Sequence, residues 1–262
     1  MEFNFKTLQI KIQNKYILVI TLNRPHVLNA INVEMMNELH QLWQKLNENK
    51  KFRCVIITGR GNAFCAGADL KERQNMALTS WKKNLAILRK SMITMLECPI
   101  PVMCAVNGAA FGGGLEIILA SDFSYGVNTA IFSQSEVKLG IMPGALGTQN
   151  LPRACGLRRA KELAFTGQSF TACEALNWGI INKICEPNHL WDEVYLTANK
   201  ICLNAPLAVQ QVKKSLNKSQ EMNIKMGFNF ELKAYNRLLS TKDREEGIRA
   251  FNEKRKPEFI GK

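Results

Sequence analysis

Short apolar runs and longer apolar stripes alternate along the first half of the chain. Runs rich in β-branched residues at 16–22, 54–58 and 101–106 predict buried strands. Between them, apolar side chains recur at helical spacing over 36–46 and 80–97, which predicts amphipathic helices. Strands and helices in alternation indicate an α/β core.

The second half of the chain predicts one more strand and then helices alone. The run 171–174 has the pattern of a capping box, Gly179 ends the short helix that the box begins, and 180–184 is typical of a strand. Beyond this strand, the apolar positions have helical spacing. We therefore expect a core over residues 1–198 and a helical C-terminal oligomerisation segment over 199–262.

Three consecutive glycines at 112–114 predict a turn that a substrate can approach closely, because glycine has no side chain. The apolar run 115–120 then predicts a buried helix whose first amides are unpaired and carry partial positive charge. Such amides can hold a developing oxyanion. The chain has no G-x-G-x-x-G, P-loop or G-x-S-x-G pattern, which argues against dinucleotide dehydrogenases, P-loop enzymes and serine hydrolases.

Two glutamates accompany this turn. Glu116 lies three residues beyond Gly113 on the predicted helix, so its carboxylate and that amide face the same side. A helix-surface carboxylate is the alternative, but a charge flanked by leucine and isoleucine in a buried helix is costly. Glu136 lies in the turn-rich stretch 132–144, which suits a loop at a pocket wall. Its alternative is an ordinary solvated carboxylate.

The stretch 106–156 resembles the signature of the crotonase superfamily, whose enoyl-CoA hydratases place two acid/base glutamates 20 positions apart in the same frames as these two. The run 63–72 resembles the family's other oxyanion segment. Near the ends of the chain, 22–30 resembles the family's coenzyme A loop and 251–257 its C-terminal tail. The resemblance therefore covers nearly the whole chain.

This resemblance implies a crotonase-like spiral of ββα units with a helical C-terminal trimerisation segment. Periodicity alone does not separate such a spiral from a doubly wound sheet. Homotrimers or dimers of trimers are expected, because the C-terminal helices carry more apolar residues than a short segment can bury alone. The residues that indicate this surface are Met222, Met226, Phe230 and Leu238.

The chemistry implied by the resemblance is reversible addition of water to a 2,3-enoyl-CoA, which gives a 3-hydroxyacyl-CoA, in fatty acid or related acyl-CoA metabolism. The amides of Ala68 and Gly113 would stabilise an enolate. Glu136 would handle the proton at the α-carbon, Glu116 would act on the water, and the Gly144 amide would shape the water site.

Coenzyme A would be part of the substrate, with no tightly bound cofactor. By the same resemblance, the residues assigned to coenzyme A binding are His26, Leu28, Ala30, Ala66, Ala68, Asp69, Leu70, Tyr235 and Lys254.

Some positions depart from the family pattern. His26 stands where a lysine often contacts coenzyme A phosphates. Leu146 and Asn150 replace a glycine and an arginine, and Leu146 either narrows the acyl pocket or packs in the core. Other acyl-CoA reactions of the family stay open, namely isomerisation, dehydration of a polar 3-hydroxyacyl-CoA, decarboxylation and hydrolysis. Two glutamates favour hydration, because the family's isomerases typically keep only the second.

The net charge of +13 admits a function of another class, RNA binding on the same fold. The basic residues occur in small groups, such as 158–159 and 254–256, without interleaved aromatic side chains of a recognisable RNA-binding module. This distribution disfavours nucleic acid and favours long-range attraction of an anionic substrate.

Composition bounds the remaining possibilities. At 262 residues with 46% apolar side chains, the chain is long enough for one large core. No apolar run reaches the length of a bilayer, and the opening 1–6 lacks a leader pattern, so we expect a cytoplasmic enzyme, although a processed organellar protein would look the same. Scattered cysteines and histidines predict reduced thiols and no metal site, with Cys65 the most accessible thiol.

Overall fold

The structure is a computed structural model that describes residues 4–49 and 51–262, so residues 1–3 of the opening stretch 1–6 lie outside the described residues. The strands within these ranges are β1 (Leu8–Gln13), β2 (Ile17–Leu22), β3 (Cys54–Gly59), β4 (Ala63–Cys65), β5 (Val102–Val106), β6 (Ala109–Phe111), β7 (Phe123–Val127), β8 (Ile131–Ser133), β9 (Ser169–Thr171) and β10 (Lys183–Cys185). The helices are α1 (Val33–Asn47), α2 (Leu70–Arg73), α3 (Leu78–Leu96), α4 (Gly113–Ala120), α5 (Gly147–Thr166), α6 (Ala172–Asn177), α7 (Leu190–Cys202), α8 (Pro206–Ser219), α9 (Ile224–Asn236) and α10 (Lys242–Asn252).

The described strands form two sheets. The larger has the order β1-β2-β3-β5-β7-β10, with β1 antiparallel to β2 and the other neighbours parallel. The smaller has the order β4-β6-β8-β9, in which β4, β6 and β8 are parallel and β9 is antiparallel. Every residue of β3 and β5 is buried, as expected for central strands of a parallel sheet that is covered on both faces.

The two sheets arise from one repeated unit. Each of β3, β5 and β7 lies in the larger sheet, and the strand that follows it lies in the smaller one. Helices follow each pair of strands, with α2 and α3 after the first, α4 after the second and α5 after the third. The chain therefore winds as a spiral of ββα units, and the predicted fold class is confirmed.

The strands predicted at 16–22, 54–58 and 101–106 are confirmed, as are the helices at 36–46 and 80–97. The apolar stripe of α1 is buried, and its first turn is capped by the side chain of Asn32.

The capping box of Thr171 and Glu174 is present, and Gly179 follows α6 in a left-handed conformation. The strand predicted at 180–184 is shorter, since β10 begins only at residue 183. Its first part instead closes the preceding helix, because the Ile180 amide donates to the Ala175 carbonyl at 2.8 Å.

The C-terminal part is helical, as predicted. Helix α7 packs on β2, β3, β5 and β7, and its residues Ala198 and Cys202 are buried. The proposed division after residue 198 thus falls inside a helix that covers the larger sheet, and the two-part organisation itself stays a prediction. No helix among the described residues has the length and apolar character needed to cross a membrane.

Candidate active site

The site is built where three neighbouring strands end. Because β4, β6 and β8 are parallel neighbours, their carboxyl ends meet at one edge of the smaller sheet. The chain leaves that edge as segments 66–69, 112–116 and 134–136. Both predicted oxyanion amides and both predicted acid/base glutamates lie on these segments, so the fold brings them together.

Glycines allow the segments to approach one another. Gly112 has a left-handed φ of 48°, and a Cβ at this residue would lie 3.0 Å from Glu136 Oε1. Gly67 has a φ of 90°, and a Cβ there would lie 2.7 Å from the Phe111 carbonyl oxygen and 3.5 Å from the Gly113 nitrogen. Any larger residue would separate the two oxyanion segments.

The two predicted oxyanion amides belong to Ala68, which forms a bridge with Ile31, and to Gly113, which begins α4. Ala68 lies opposite Ile31 in a parallel bridge, and the hydrogen bonds of this bridge involve the residues on either side of Ala68. The Ile31 amide donates to the Gly67 carbonyl at 2.7 Å, and the Ile31 carbonyl accepts the Asp69 amide at 3.0 Å. The Ala68 amide itself points away from that pairing. Gly113 is the first residue of α4, so its amide has no carbonyl partner within the helix.

Glu116 lies on α4, the helix after the glycine turn, and backbone amides from another segment hold its side chain. Its side chain is 2% exposed, and its Oε1 accepts hydrogen bonds from the amides of Ala145 and Gly147, each at 2.7 Å. Burial raises the pKa of Glu116 to about 7, the nearby charge of Glu136 adds to the rise, and the two amides oppose it. The carboxyl can therefore gain and lose a proton near neutral pH.

Glu136 opens a short 3-10 helix, Glu136–Leu139, rather than an irregular loop. It is 9% exposed, and its Oε1 accepts a hydrogen bond from Gln134 Nε2 at 2.8 Å. Within the described residues, Glu136 Oε2 is buried without a hydrogen-bond partner. Burial raises the pKa of this carboxyl as well. The interpretation of Glu136 as an ordinary solvated carboxylate is therefore wrong.

Two residues that the sequence interpretation missed also contribute to the site. Gln134 is 1% exposed, and its amide holds Glu136. Arg73 ends α2 and stacks on Trp81 at 4.9 Å, and its positive charge lowers the pKa of Glu116 and of Glu136 against the larger effect of burial. Arg73 lies five residues beyond Ala68, so a search for charges close after the oxyanion segment would have found it.

The predicted coenzyme A loop packs beside the first oxyanion segment. The Ala66 amide donates to the Leu28 carbonyl at 2.9 Å, and Arg24 Nη1 donates to the Ala30 carbonyl at 2.6 Å and to Asp69 Oδ2 at 2.9 Å. The Asp69 carboxylate thus joins the two loops. Predicted contact residues with exposed side chains here are His26, Leu28 and Leu70.

Three other predicted site residues lie elsewhere. Gly144 lies against α3, where a Cβ would come within 2.9 Å of Leu85 Cδ1, and the amides that bind Glu116 belong to residues 145 and 147. Tyr235 is 62% exposed on α9, and Lys254 follows α10, so both belong to the C-terminal helices. Their assigned roles stay predictions.

The expectation that Cys65 is the most accessible thiol is wrong. Its side chain is fully buried, and its Sγ donates to the Asn29 carbonyl at 3.2 Å. Burial raises the pKa of Cys65 to about 12. The last residue of β4 points into the core, and the exposed cysteine among the described residues is Cys173.

Leu146 is partly buried and packs against the hydrophobic core, which favours the packing interpretation over a narrowed acyl pocket. It also has a left-handed φ of 76° where α5 begins. Asn150 is 7% exposed on the same helix.

The site holds two buried carboxylates beside the segments that carry the Ala68 and Gly113 amides, and groups of these kinds can transfer protons and polarise a carbonyl. A family model described as enoyl-CoA hydratase/isomerase matches residues 12–262. The chain therefore belongs to the enoyl-CoA hydratase/isomerase family, the crotonase family of enzymes.

Individual relatives agree with this assignment. The chain is 40% identical over 244 residues to a short-chain-enoyl-CoA hydratase of Clostridium acetobutylicum, covering 92% of this chain and 93% of the relative. It is 37% identical over 245 residues to a crotonyl-CoA hydratase of Syntrophomonas wolfei, with 93% and 94% covered. The crystal structure of an enoyl-CoA hydratase from Bacillus anthracis matches with a TM-score of 0.96 at 36% identity, covering 98% of this chain and 100% of that one.

Proposed function

We propose that this chain is an enoyl-CoA hydratase that adds water reversibly across the 2,3-double bond of an enoyl-CoA in fatty acid or related acyl-CoA metabolism. The observation that carries the proposal is the pair Glu116 and Glu136. The protein's hydrogen bonds to each carboxylate go to Oε1, which leaves the second oxygen of each side chain available to a water. The pKa of about 7 suits Glu116 to proton exchange at neutral pH, and burial raises the pKa of Glu136 as well.

The thioester carbonyl would lie between the amides of Ala68 and Gly113. These donors stabilise the enolate that forms when oxygen attacks the β-carbon, and such a donor contributes about 3 kcal/mol to the transition state. The positive end of α4 adds to this effect, because Gly113 is its first residue.

Two proton transfers complete the reaction. As the water oxygen bonds to the β-carbon, Glu116 accepts the proton that the water loses. The enolate then takes a proton at the α-carbon from Glu136 in its acid form, which burial favours. The product is the 3-hydroxyacyl-CoA, and transfer of one proton from Glu116 to Glu136 restores the starting state.

Loss of the ultraviolet absorbance of crotonyl-CoA tests this proposal. We expect wild-type protein to hydrate crotonyl-CoA to 3-hydroxybutyryl-CoA. Absence of hydration, together with migration of the double bond in a 3-enoyl-CoA, would instead assign the isomerase reaction. Product analysis by mass spectrometry separates hydration from decarboxylation and thioester hydrolysis, and a panel of polar 3-hydroxyacyl-CoA substrates tests for dehydration.

RNA binding is the second candidate, and the net charge of +13 is the observation that favours it. A salt titration of RNA binding measures it, because each neutralised phosphate contributes to the slope. We expect weak binding that is lost by physiological salt. Tight binding without hydration of crotonyl-CoA would favour the RNA-binding function.

We also propose that the chain forms homotrimers or dimers of trimers. The C-terminal helices expose large apolar side chains, including Ile224, Phe228 and Phe251, and Met226 of the predicted surface is exposed too. Exposed apolar patches mark association surfaces. Light scattering that reports a monomer at micromolar concentration would contradict the proposal.

The coenzyme A moiety is proposed to bind along the loops near His26 and Ala66 and to meet Lys254 at its phosphates. The packing of residues 24–30 against 66–69 supports one continuous surface for it. A cytoplasmic location is inferred from the bacterial origin of the two relatives described above. Cell fractionation that recovers the protein elsewhere would contradict that location.

A further inference from the structure

A pocket between α1, α2 and α3 lies beside the candidate active site. Its apolar lining residues are Val33, Met36, Met76, Trp81 and Leu85. Leu85 connects the pocket to the carboxylates, because a Cβ on Gly144 would come within 2.9 Å of Leu85 Cδ1 and the next amide, that of Ala145, donates to Glu116 at 2.7 Å. The pocket wall is therefore one short segment away from Glu116.

The pocket is small, and part of its wall is polar. Its volume is about 250 Å³, below the roughly 300–1,000 Å³ of pockets that hold drug-sized ligands. Three polar residues complete the lining, namely Glu72, Arg73 and Asn84. A short acyl chain with a polar far end would match this combination of size and lining.

Arg73 is a half-buried cation without an anionic partner. Among the described residues, its guanidinium forms no ion pair and stacks on the Trp81 ring at 4.9 Å. Burial lowers the pKa of Arg73, although an arginine stays protonated at neutral pH. Stacking on a ring leaves the donors at the edge of the guanidinium plane available. Because a buried charge without a counter-ion is costly, an anion that binds here is favoured.

The other two polar residues of the lining differ in what they can offer an anion. Glu72 Oε2 accepts the Val33 amide at 2.8 Å, so this carboxylate is bound to the first turn of α1. Asn84 Nδ2 donates to Met76 Sδ at 3.4 Å, and a thioether sulfur is a weak acceptor. Arg73 and Asn84 therefore both have donors for an anion in this pocket.

We propose that this pocket recognises a carboxylate at the far end of the acyl chain, so that the preferred substrate is a short enoyl-CoA of a dicarboxylic acid, with Arg73 as the residue that binds the carboxylate and Asn84 as a second donor. The proposal rests on the proposed hydratase function and adds the class of acyl group. The arginine fork matches a planar carboxylate, which it binds through two parallel hydrogen bonds. Addition of water at the β-carbon is unchanged by the distal group.

The test compares two substrates of equal chain length. Glutaconyl-CoA ends in a carboxylate, and 2-pentenoyl-CoA ends in a methyl group at the same position. We expect the wild-type protein to hydrate glutaconyl-CoA with the higher kcat/KM. Arg73→Met should lower the ratio of kcat/KM for glutaconyl-CoA to that for 2-pentenoyl-CoA by about 10- to 100-fold, the range for a lost hydrogen bond to a charged group. Because both substrates use the same two glutamates, the effect of Arg73 on their pKa values cancels in this ratio.

Two further variants separate a specific contact from a general charge effect. Arg89→Met removes the same charge from an exposed position on α3 outside the pocket lining, so it should leave the ratio unchanged. Asn84→Leu replaces the second donor by an apolar side chain of similar size and should lower the ratio less than Arg73→Met does. Equal ratios in Arg73→Met and Arg89→Met would overturn the assignment of Arg73. An unchanged ratio in Asn84→Leu would overturn that of Asn84.

Calorimetry with saturated analogues keeps this test separate from the hydratase proposal. Glutaryl-CoA and pentanoyl-CoA cannot be hydrated, so their binding reports recognition of the acyl group alone. We expect the wild-type protein to bind glutaryl-CoA more tightly than pentanoyl-CoA, and Arg73→Met to lose this preference. Equal affinities in the wild-type protein would overturn the proposal even where crotonyl-CoA is hydrated. Selective binding of glutaryl-CoA without hydration of any enoyl-CoA would support the recognition and contradict the hydratase function alone.

Discussion

Two pairs of buried carboxylates in this molecule differ in their hydrogen-bond partners and in the direction of their pKa shifts. Among the described residues, the proposed catalytic pair, Glu116 and Glu136, receives only amide hydrogen bonds, and burial raises the pKa of both side chains. The C-terminal pair, Asp243 and Glu246, is equally buried, but Glu246 binds two arginines. Hydrogen bonds from Arg255, from a backbone amide and from Arg249 hold the pKa of Glu246 well below its usual range.

The comparison teaches that burial alone does not decide what a carboxylate does. A buried charge without a cation is costly and tends to neutralise, which makes it suitable for moving protons. A buried charge with cations and amides around it stays ionised and holds structure together. The first arrangement lies at the end of the parallel strands, and the second lies on α10.

The largest effect is expected from removing the proton exchange of the catalytic pair. Glu116→Gln and Glu136→Gln retain shape but cannot cycle a proton, so each should lower kcat for crotonyl-CoA by at least about 100-fold with acyl-CoA binding retained. The double variant should be little worse than the poorer single variant, because groups that act as a unit in one reaction have non-additive effects. Steady-state kinetics checks this, and near-normal hydration by Glu116→Gln would contradict the hydratase proposal.

Loss of one oxyanion amide should have the next largest effect. Proline is tolerated at the first position of a helix, so Gly113→Pro removes the amide of Gly113. We expect kcat to fall by about 100-fold or more. Gly113→Ala keeps the amide and adds a methyl group 3.2 Å from Ile31 Cδ1, so it separates crowding from loss of the donor. An equal fall of kcat in both variants would show that the Gly113 amide does not contribute to the reaction.

The two pairs should also differ in how pH affects stability. The pKa of Glu116 is raised from 4.5 to about 7 in the folded protein. Its carboxyl therefore lowers the stability of the folded state as pH rises above 4.5, and this loss of stability is complete above pH 7. Glu116→Gln should therefore stabilise the protein at pH 8, by up to about 3 kcal/mol, and have little effect at pH 4.

Glu246 has the opposite sign. Its lowered pKa gives stability that is present above the ordinary carboxyl pKa and is lost only at lower pH, so Glu246→Gln should destabilise the protein at pH 8. Thermal melts of both variants at pH 4 and pH 8 check the two predictions together. The comparison fails if the two substitutions shift stability in the same direction at pH 8.

The smallest effect is expected from removing the positive charge of Arg73, which lowers the pKa values of Glu116 and Glu136. The guanidinium of Arg73 favours the ionised forms of both glutamates, so Arg73→Met should raise their pKa values and move the acid limb of the kcat/KM profile to higher pH. Arg73→Lys keeps the charge and should leave the limb near its original position. A profile that is identical in all three proteins would show that Arg73 has no such influence.

Much of the site could be predicted because its parts are close in sequence. The glycine run, the helix after it and Glu116 form one local pattern, and burial of that helix made its charge conspicuous. The interpretation of Glu136 depended on the family frame, since an acidic residue in a turn has no distinctive pattern of its own.

Other features depend on contacts that periodicity does not contain. The three-residue strands β4, β6 and β8 are too short for an alternation signal, yet their alignment assembles the site. Cys65 was expected to be accessible because its segment is a predicted oxyanion segment, and side-chain direction along β4 decides otherwise. The position of Arg73 beside the carboxylates depends on how α2 packs, and the packing of this short helix could not be predicted from sequence patterns.

Titration of individual glutamate carboxyls by carbon-13 NMR tests the difference between the two pairs most directly. The resonances are assigned by their loss in Glu116→Gln and Glu246→Gln. The Glu116 carboxyl should titrate with a pKa of about 7, while the Glu246 carboxyl should remain ionised at pH 4. A Glu116 carboxyl that titrates near its ordinary value of 4.5 would contradict the claim that this pair is kept unpaired for proton transfer.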